Sequence, residues 1–307
     1  MSTAFKPGSP EWARLVTASK VAGILSISPW DSQYKVWCVM AGLIPPDPEN
    51  EAMRRGNMLE DAVLNWWLAD NPDAIELGRQ VTCQIPDEPW AAATPDMIVT
   101  SGGDTEIVDA KTASDDEGWG RPGTDEAPKY YIASSMWQLA MHPEAARVRL
   151  AVLFGRPFTM REYVIERDDE LCGALIDHCR AFHATVVSGV MPPLDDSVAT
   201  YEAVRAQHPD IDRDLDVQIT EAQASDWLAS KAAIESADRW HRGATTVLLD
   251  QMGKARRAMC DGLVIARRQP HASGSVSLVR VARPYPNPPL TKETPHDHHA
   301  DRHRPAR

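Results

Sequence analysis

One short segment, TPDMIVTSGGDTEIVDAKT at residues 94–112, restricts what this chain can fold into more than any other. Two apolar runs are separated there by Ser-Gly-Gly-Asp, which is a strong turn signal between β-strands. The same segment carries Asp96, Asp109 and Lys111. Two carboxylates and an ammonium are costly to bring near a core unless something compensates them. The segment therefore predicts a β-hairpin whose charged side chains are candidates for a functional site.

The alternation of side chains along a strand indicates where these charges point. Ile107, Asp109 and Lys111 share one face, and Asp109 and Lys111 are about 6–7 Å apart along the strand. If residues 94–99 pair with this strand, Asp96 reaches the same face. We expect the three charged groups to converge at one end of a sheet.

A helix predicted from about residue 53 to 69 adds a further carboxylate. On a period of 3.6 residues, Glu60 falls inside the apolar stripe formed by Val63, Leu64 and Trp67. A glutamate in the middle of a core-facing stripe needs a partner. Taken alone, it has a simpler explanation, because a glutamate can extend past the edge of a core. The hairpin alone also fits an exposed, solvated turn.

Three carboxylates beside a lysine suit a hard divalent cation. Magnesium takes one or two carboxylates, together with waters and substrate phosphate oxygens. The cation lowers the pKa of a bound water, while the lysine steers that water or stabilises developing charge. The set predicts hydrolysis of a phosphodiester.

The element pattern predicts an α/β domain with a mixed central sheet of about five strands flanked by helices. Strands are expected at 75–85, 90–99, 105–112, 147–155 and 161–167. A boundary near residue 190 gives a nuclease domain at 1–190. A mostly helical extension follows at 191–285, with a possible pair of short strands at 262–268 and 275–281. The last segment, 286–307, is rich in Pro, His and Arg, and we expect it to be disordered.

Composition excludes little. The formal net charge is −12, from 44 acidic and 32 basic residues, which argues against a protein that coats nucleic acid by bulk attraction. A nucleic-acid enzyme remains compatible, because its site needs only local cations and carboxylates. The five cysteines include no CxxC pair, so neither a zinc site nor a disulfide framework is expected. No apolar run approaches the length of a membrane span, and we expect a cytoplasmic protein.

A family resemblance follows from several segments taken together and in order. They are TASKVAGILSISPWDSQYKVWCVMAGLIP, RRGNMLED, TPD, DAKT, GWGRPGTDEAPKYYIASSMWQLAM and RVRLAVLFG. The chain from about 12 to 190 resembles the YqaJ-like viral recombinase family, the phage lambda exonuclease type of PD-(D/E)xK nuclease. The resemblance implies a restriction-endonuclease-like core.

The resemblance also implies roles for individual residues. Glu60 matches the helical acidic residue near the metals, Asp96 the central metal ligand and Asp109 the second acidic ligand. Lys111 matches the catalytic lysine, and Gln138 matches a glutamine on the helix after the active strands.

Further matched positions concern the DNA. Ser19 and Thr94 match hydroxyl positions that lie close to the DNA phosphate in the family. Two departures stand out: Arg14 lies nearer to TAS than the family's phosphate-binding arginine, and Ser134 replaces a second glutamine. Binding of a 5′-phosphate end is therefore less well supported than cleavage.

The function implied is that of an exonuclease acting on the ends of double-stranded DNA. It would degrade the 5′ strand and leave a 3′ overhang for a single-strand annealing partner, using Mg²⁺, with Mn²⁺ able to substitute, and two ions. A ring-shaped homo-oligomer threaded by DNA is also implied. Arg54 and Arg55 would line its channel, or else are ordinary surface charges of a helix. Trp119, in the loop at 113–127, would stack on a base, or else anchors that loop.

Other functions stay open on the sequence alone. One is a RecB-like nuclease or an endonuclease of the same fold that cuts internally. A second is a catalytically silent DNA-binding recombination scaffold. A third is a metal hydrolase for a small phosphate ester.

Overall fold

The computed structural model describes residues 9–270 and 276–280. The chain divides into two compact units, Met1–Asp212 and Arg213–Arg307. The predicted disordered tail at 286–307 lies outside the described residues. The first unit extends past the predicted boundary at 190, because a helix at Val198–Gln207 packs in it: Thr200 Oγ1 donates to Ser32 Oγ at 2.7 Å.

The first unit contains seven helices and five strands among its described residues. The helices are α1 (Pro10–Ala13), α2 (Ala18–Ile24), α3 (Gln33–Met40), α4 (Glu51–Asp70), α5 (Lys129–Met141), α6 (Asp169–Ser188) and α7 (Val198–Gln207). The strands are β1 (Ile75–Arg79), β2 (Met97–Ser101), β3 (Asp104–Ala113), β4 (Ala145–Gly155) and β5 (Phe158–Glu166).

The five strands form one mixed sheet in the order β1-β2-β3-β4-β5. Only β3 and β4 run parallel, and α5 provides the crossover that a parallel pair needs. Helices cover both faces. Ile107 of β3 belongs to the larger core with α2, α3, α5 and α6, whereas Val108 belongs to a smaller core with Val63, Leu64 and Trp67 of α4. The predicted mixed five-stranded sheet flanked by helices is confirmed.

A two-residue turn sets the register between β2 and β3. Ser101 pairs with Asp104, and the two residues between them, Gly102 and Gly103, both have positive φ, 61° and 95°. Hairpin turns of this length require such angles, and glycine adopts them without a steric penalty. The ladder continues to the pair Met97–Val108. The turn therefore determines which residues of the two strands face each other.

Two predicted strands are shorter than expected. β1 ends at Arg79 rather than at residue 85, because Gln80 adopts a left-handed φ of 52°. β2 begins at Met97 rather than at residue 90, because Pro95 has no N–H to give to a ladder. Before it, Ala91 and Ala93 form only isolated bridges, to Val16 and Cys83. Asp96 thus immediately precedes β2 and is not part of the strand.

The second unit contains α8 (Glu221–Met252) and a three-stranded antiparallel sheet of β6 (Arg257–Cys260), β7 (Leu263–Pro270) and β8 (Val276–Arg280). The predicted strand pair was incomplete: β6 was missed, because its sequence RAMC is short, mostly exposed and lacks apolar alternation. None of the helices in the described ranges combines the length and apolarity that a membrane crossing requires.

A buried carboxylate ties three strands together on the α4 face of the sheet. Glu106 of β3 is only 1% exposed and contacts the guanidinium groups of both Arg147 and Arg149 on β4. Arg149 also donates to Glu162 of β5 at 3.0 Å. Burial alone would raise the pKa of Glu106, but the hydrogen bonds from the two arginines hold it below its usual range.

We expect Glu106→Gln to lower the free energy of unfolding by about 2–3 kcal/mol, because it leaves two half-buried arginines without their shared counter-charge. The matched control is Glu166→Gln, which removes a largely exposed carboxylate from the same Arg147 and should cost less than about 1 kcal/mol. Chemical denaturation at pH 7 measures both. Equal losses in the two variants would contradict this account of the sheet.

Candidate active site

The carboxylates of Asp96 and Asp109 meet because of the β2–β3 register. One step beyond the pair Met97–Val108, Asp96 faces Asp109, and residues directly opposite on paired strands point to the same side. Asp96 Oδ2 accepts a hydrogen bond from the backbone N–H of Ala110 at 2.8 Å. This bond fixes the Asp96 side chain against the middle of β3.

Lys111 and Gln138 hold Asp109 from two sides. The ammonium of Lys111 forms an ion pair with Asp109 Oδ2 and donates to the carbonyl of Ala110 at 3.1 Å. From α5, Gln138 Nε2 donates to Asp109 Oδ1 at 3.1 Å. Asp109 and Gln138 are both buried. Asp109 and Lys111 thus share the α5 face, as the strand alternation predicts, and the Gln138 amide meets Asp109 there.

Glu60 acts on this site through its charge, from the other side of the sheet. Its helix, α4, packs on the opposite face from α5, yet the charge of Glu60 acts on Asp96. The Glu60 carboxylate accepts a hydrogen bond from Gln80 Nε2 at 2.6 Å. The partner that the sequence pattern demanded for Glu60 is therefore Gln80, located just past the end of β1.

Burial dominates the electrostatics of Asp96. Loss of solvation raises its pKa to about 8, with further upward contributions from the charges of Asp109 and Glu60, while Lys111 and the Ala110 N–H act against them. Burial would lower the pKa of Lys111, but Asp109 and Asp96 raise it above its ordinary value. When both aspartates are ionised, the site therefore holds more negative charge than its single ammonium neutralises.

These residues fit a hard divalent cation. Carboxylate oxygens are the ligands that Mg²⁺ prefers, and one or two are enough when waters complete the shell. Asp96 and Asp109 supply them, and the Oε1 of Gln138 is a buried acceptor without a partner among the described residues. As placed, no three acidic, His or Cys side chains within 9–270 and 276–280 form a closed metal cage. Asp96 and Asp109 lie together, whereas Glu60 does not join them in a three-carboxylate group.

The other predicted DNA-contact residues are described by contacts outside this cluster. Ser19 is exposed and its hydroxyl shares a 3.1 Å hydrogen bond with Thr17, whereas Thr94 shares one of 3.1 Å with Thr82. Arg54 pairs with Glu51 at 3.6 Å, both exposed. Arg14 and Arg55 are also exposed and form no ion pair within the described part of the chain.

The ring of Trp119 is not free to stack on a base. It is half-buried and packs against Tyr131, Phe154 and Tyr163, with ring centroids 4.8–5.8 Å apart. These contacts attach the loop between β3 and α5 to the larger core. The structure favours the anchoring alternative for this residue.

Sequence reasoning missed Gln80. Its backbone N–H donates to the carbonyl of Asp96 at 3.2 Å while its side chain binds Glu60, so one residue connects two members of the site. A left-handed φ in a residue other than glycine is uncommon and marks a position under local constraint. The only sequence signal was a polar residue inside a predicted strand, which is too common to single out.

We expect Asp96→Asn to stabilise the metal-free protein at alkaline pH. The folded pKa of about 8 lies above the unfolded value near 4, so the wild-type loses stability as the pH rises from about 4 to about 8. Asparagine keeps an acceptor for the Ala110 N–H and carries no charge. Unfolding in EDTA at pH 9 should show a gain of about 1 kcal/mol or more, and a loss there would contradict the buried-charge account.

We expect Gln80→Gly to weaken divalent-cation binding without destabilising the fold. Glycine accepts the positive φ and keeps the backbone bond to Asp96, but it frees the Glu60 carboxylate. Losing an outer-shell partner costs on the order of tenfold in metal affinity, measurable by titration calorimetry with Mn²⁺. Ser26→Gly is the matched control, since Ser26 is exposed and has a φ of 56°. Equal affinities for the two variants would remove Gln80 from the site.

The solved structures that this chain resembles include several exonucleases. The alkaline exonuclease LHK-Exo from Laribacter hongkongensis is 20% identical, with a TM-score of 0.46 over 58% of this chain and 90% of that chain. A putative exonuclease from Eubacterium rectale is 13% identical, with a TM-score of 0.45 over 72% and 96%. A phage-related exonuclease from Haemophilus somnus 129PT is 13% identical, with a TM-score of 0.41 over 57% and 96%. No curated protein matches this sequence.

The family match falls on the part of the chain that builds the site. Residues 11–143 match the YqaJ-like viral recombinase domain, and this range includes every residue that contacts the carboxylates of Glu60, Asp96 and Asp109 as described above. The resemblance found in the sequence is confirmed to this extent: residues 11–143 of this chain are similar to the YqaJ-like viral recombinase domain.

Proposed function

We propose that this protein is a divalent-metal-dependent deoxyribonuclease that degrades linear double-stranded DNA from its ends. The observation that carries the proposal is the meeting of Asp96, Asp109 and Lys111 beside Gln138 and Glu60. The family and the site support a nuclease role. The proposed cation is Mg²⁺, two ions are proposed, and Mn²⁺ should substitute because it takes similar oxygen ligands.

Asp96 and Asp109 would hold the cation, with Glu60 acting from the side of α4. When bound, the cation polarises the phosphodiester and lowers the pKa of the attacking water. Gln138 orients the Asp109 carboxylate through its hydrogen bond to Oδ1. Gln80 fixes Glu60 in the same way, so each acidic group has a partner that limits its rotation.

Lys111 would act on the reacting groups. Its ammonium stays charged at neutral pH because Asp109 and Asp96 raise its pKa. A fixed positive charge next to the scissile phosphate stabilises the negative charge that builds up on the phosphate oxygens and orients the water. Its contribution is greater to cleavage than to affinity.

The proton on Asp96 links the proposed activity to pH. With a pKa of about 8, Asp96 is mostly protonated at pH 7 in the metal-free protein. A cation must displace that proton, so its affinity rises with pH up to about 8. Weak activity at pH 6 and low Mg²⁺ would follow from the burial of this carboxylate.

The finer features of the function are carried over from the family. They are degradation in the 5′-to-3′ direction, release of a 3′ overhang to a single-strand annealing protein, and a ring-shaped homo-oligomer around the DNA. A ring would explain how a chain with a net charge of −12 holds DNA, because cations could line the channel while acids face solvent. Arg14, Arg54, Arg55, Ser19 and Thr94 are the proposed backbone contacts.

Two other functions of the same fold differ from the proposed one in what they require of the site. An internally cutting or RecB-like nuclease would use the same residues without needing an end. A catalytically silent recombination scaffold has no use for two adjoining carboxylates, one of them buried, with a lysine beside them. Because such a cluster reduces stability, its presence favours an enzyme over a scaffold.

The test is digestion of an end-labelled linear duplex and a covalently closed circle, each with Mg²⁺ and with EDTA. We expect loss of the linear duplex only with Mg²⁺, early release of label from the 5′ end, and an intact circle. Cutting of the circle would show that the protein is an endonuclease and not an exonuclease. An inert linear duplex with Mg²⁺ or Mn²⁺ would overturn the proposal.

Two variants test whether the activity belongs to this site. Asp109→Ala should abolish cleavage. Lys111→Ala should lower the rate by about 100-fold or more, the loss typical when a group that stabilises developing charge is removed, while DNA binding in EDTA stays within about twofold. Unchanged cleavage by Asp109→Ala would place the activity elsewhere.

A further inference from the structure

The second unit carries a concentration of positive charge in an acidic protein. Residues 253–270 contain five basic side chains, Lys254, Arg256, Arg257, Arg267 and Arg268, against one acidic side chain, Asp261. The whole chain has a net charge of −12. These residues lie on and beside β6 and β7, outside the range that matches the recombinase domain.

Two of these arginines face each other directly. Arg257 of β6 is paired with Arg267 of β7 in the antiparallel register, so their side chains emerge on the same face of the sheet about 5 Å apart at the backbone. Like charges in this position destabilise a sheet. Both side chains are exposed, as is that of Arg256, and the three line one hollow together with Val264.

No carboxylate within the described ranges lies at ion-pair distance from Arg256, Arg257 or Arg267. Two neighbouring arginines of the first unit, by contrast, both have carboxylate partners. Arg147 and Arg149 share Glu106, Arg147 also pairs with Glu166, and Arg149 also pairs with Glu162. The repulsion between the paired arginines of β6 and β7 is therefore not offset within the described unit. A ligand with several negative charges would offset it.

Arg268 has a different role and does not belong with the other three arginines. It lies on the other face of β7 from Arg267, and its guanidinium donates to the carbonyl of Gly253. This contact ties β7 to the end of α8. The three remaining arginines, Arg256, Arg257 and Arg267, are called the arginine surface below.

We propose that the arginine surface binds the phosphate backbone of double-stranded DNA. The guanidinium group matches phosphate oxygens with two parallel hydrogen bonds, and duplex DNA presents about one negative charge per 1.7 Å of its axis. The facing arginines Arg257 and Arg267, with Arg256 lining the same hollow, suit contacts to phosphates, which do not depend on the base sequence. The choice of DNA among polyanions rests on the proposed nuclease function; the existence of an anion-binding surface does not.

The experiment compares two double variants of the full chain that lose the same charge. Arg257→Gln with Arg267→Gln removes the facing pair, whereas Arg239→Gln with Arg242→Gln removes two exposed arginines of α8. Binding of a fluorescein-labelled 30-base-pair duplex is measured by fluorescence anisotropy in EDTA, between 50 and 300 mM NaCl.

We expect the first variant to bind at least about fivefold more weakly and to lower the slope of log K against log salt concentration by about 2, one unit for each lost phosphate contact. The α8 variant should stay within about twofold. Thermal unfolding separates binding from folding, because removing the like-charge pair should leave the melting temperature unchanged or raise it.

Each outcome decides something. Unchanged affinity in the first variant, or an equal loss in both, overturns the inference. Vesicles containing phosphatidylserine form a second arm: if they, and not DNA, require Arg257 and Arg267, the DNA assignment is overturned. Cleavage of linear DNA by the wild-type is scored separately, so a failed nuclease assay overturns the proposed function without deciding the anisotropy result.

Discussion

The hydrogen bond from the Ala110 N–H to Asp96 is the contact on which the candidate site depends. It holds Asp96, whose charged form loss of solvation disfavours, next to a second carboxylate, and when both are ionised Lys111 balances only one of the two charges. Such an arrangement costs stability in the metal-free protein. The surrounding sheet supplies the rigidity: β3 pairs along its whole length with β4, and Glu106 connects it to the arginines of β4. A strand fixed from both sides can carry charges that a flexible loop would turn towards solvent.

Much of this arrangement was accessible from the sequence, because it depends on periodicity and on a turn. The common face of Asp109 and Lys111 follows from strand alternation, and the position of Asp96 follows from the Gly-Gly turn. Gln138 came from the family resemblance alone. The order of the elements in the first unit was also predictable, since its helices and strands have distinct apolar patterns.

What the sequence did not reveal has physical reasons. Glu60 was expected near the site from its place in the apolar stripe of its helix and from the family resemblance, but no one-dimensional pattern shows that this helix covers the opposite face of the sheet. Gln80 owes its role to a backbone angle that its residue type does not favour, so propensity extended β1 beyond it. The start of β2 was misplaced because buried alanines resemble a strand even where they form only single bridges. β6 was missed because an exposed strand of four residues has no apolar period.

The glycine turn has a consequence for how chains of this type can vary. Asp96 and Asp109 are thirteen positions apart because each strand contributes the same number of residues on either side of a two-residue reversal. Lengthening the hairpin by one residue per strand changes that separation by two, and the acids stay face to face. Adding a single residue to one strand shifts the pairing by one position, so that Asp96 or Asp109 points to the opposite face of the sheet. As long as the reversal keeps its length, the gap between these aspartates can evolve only through odd values.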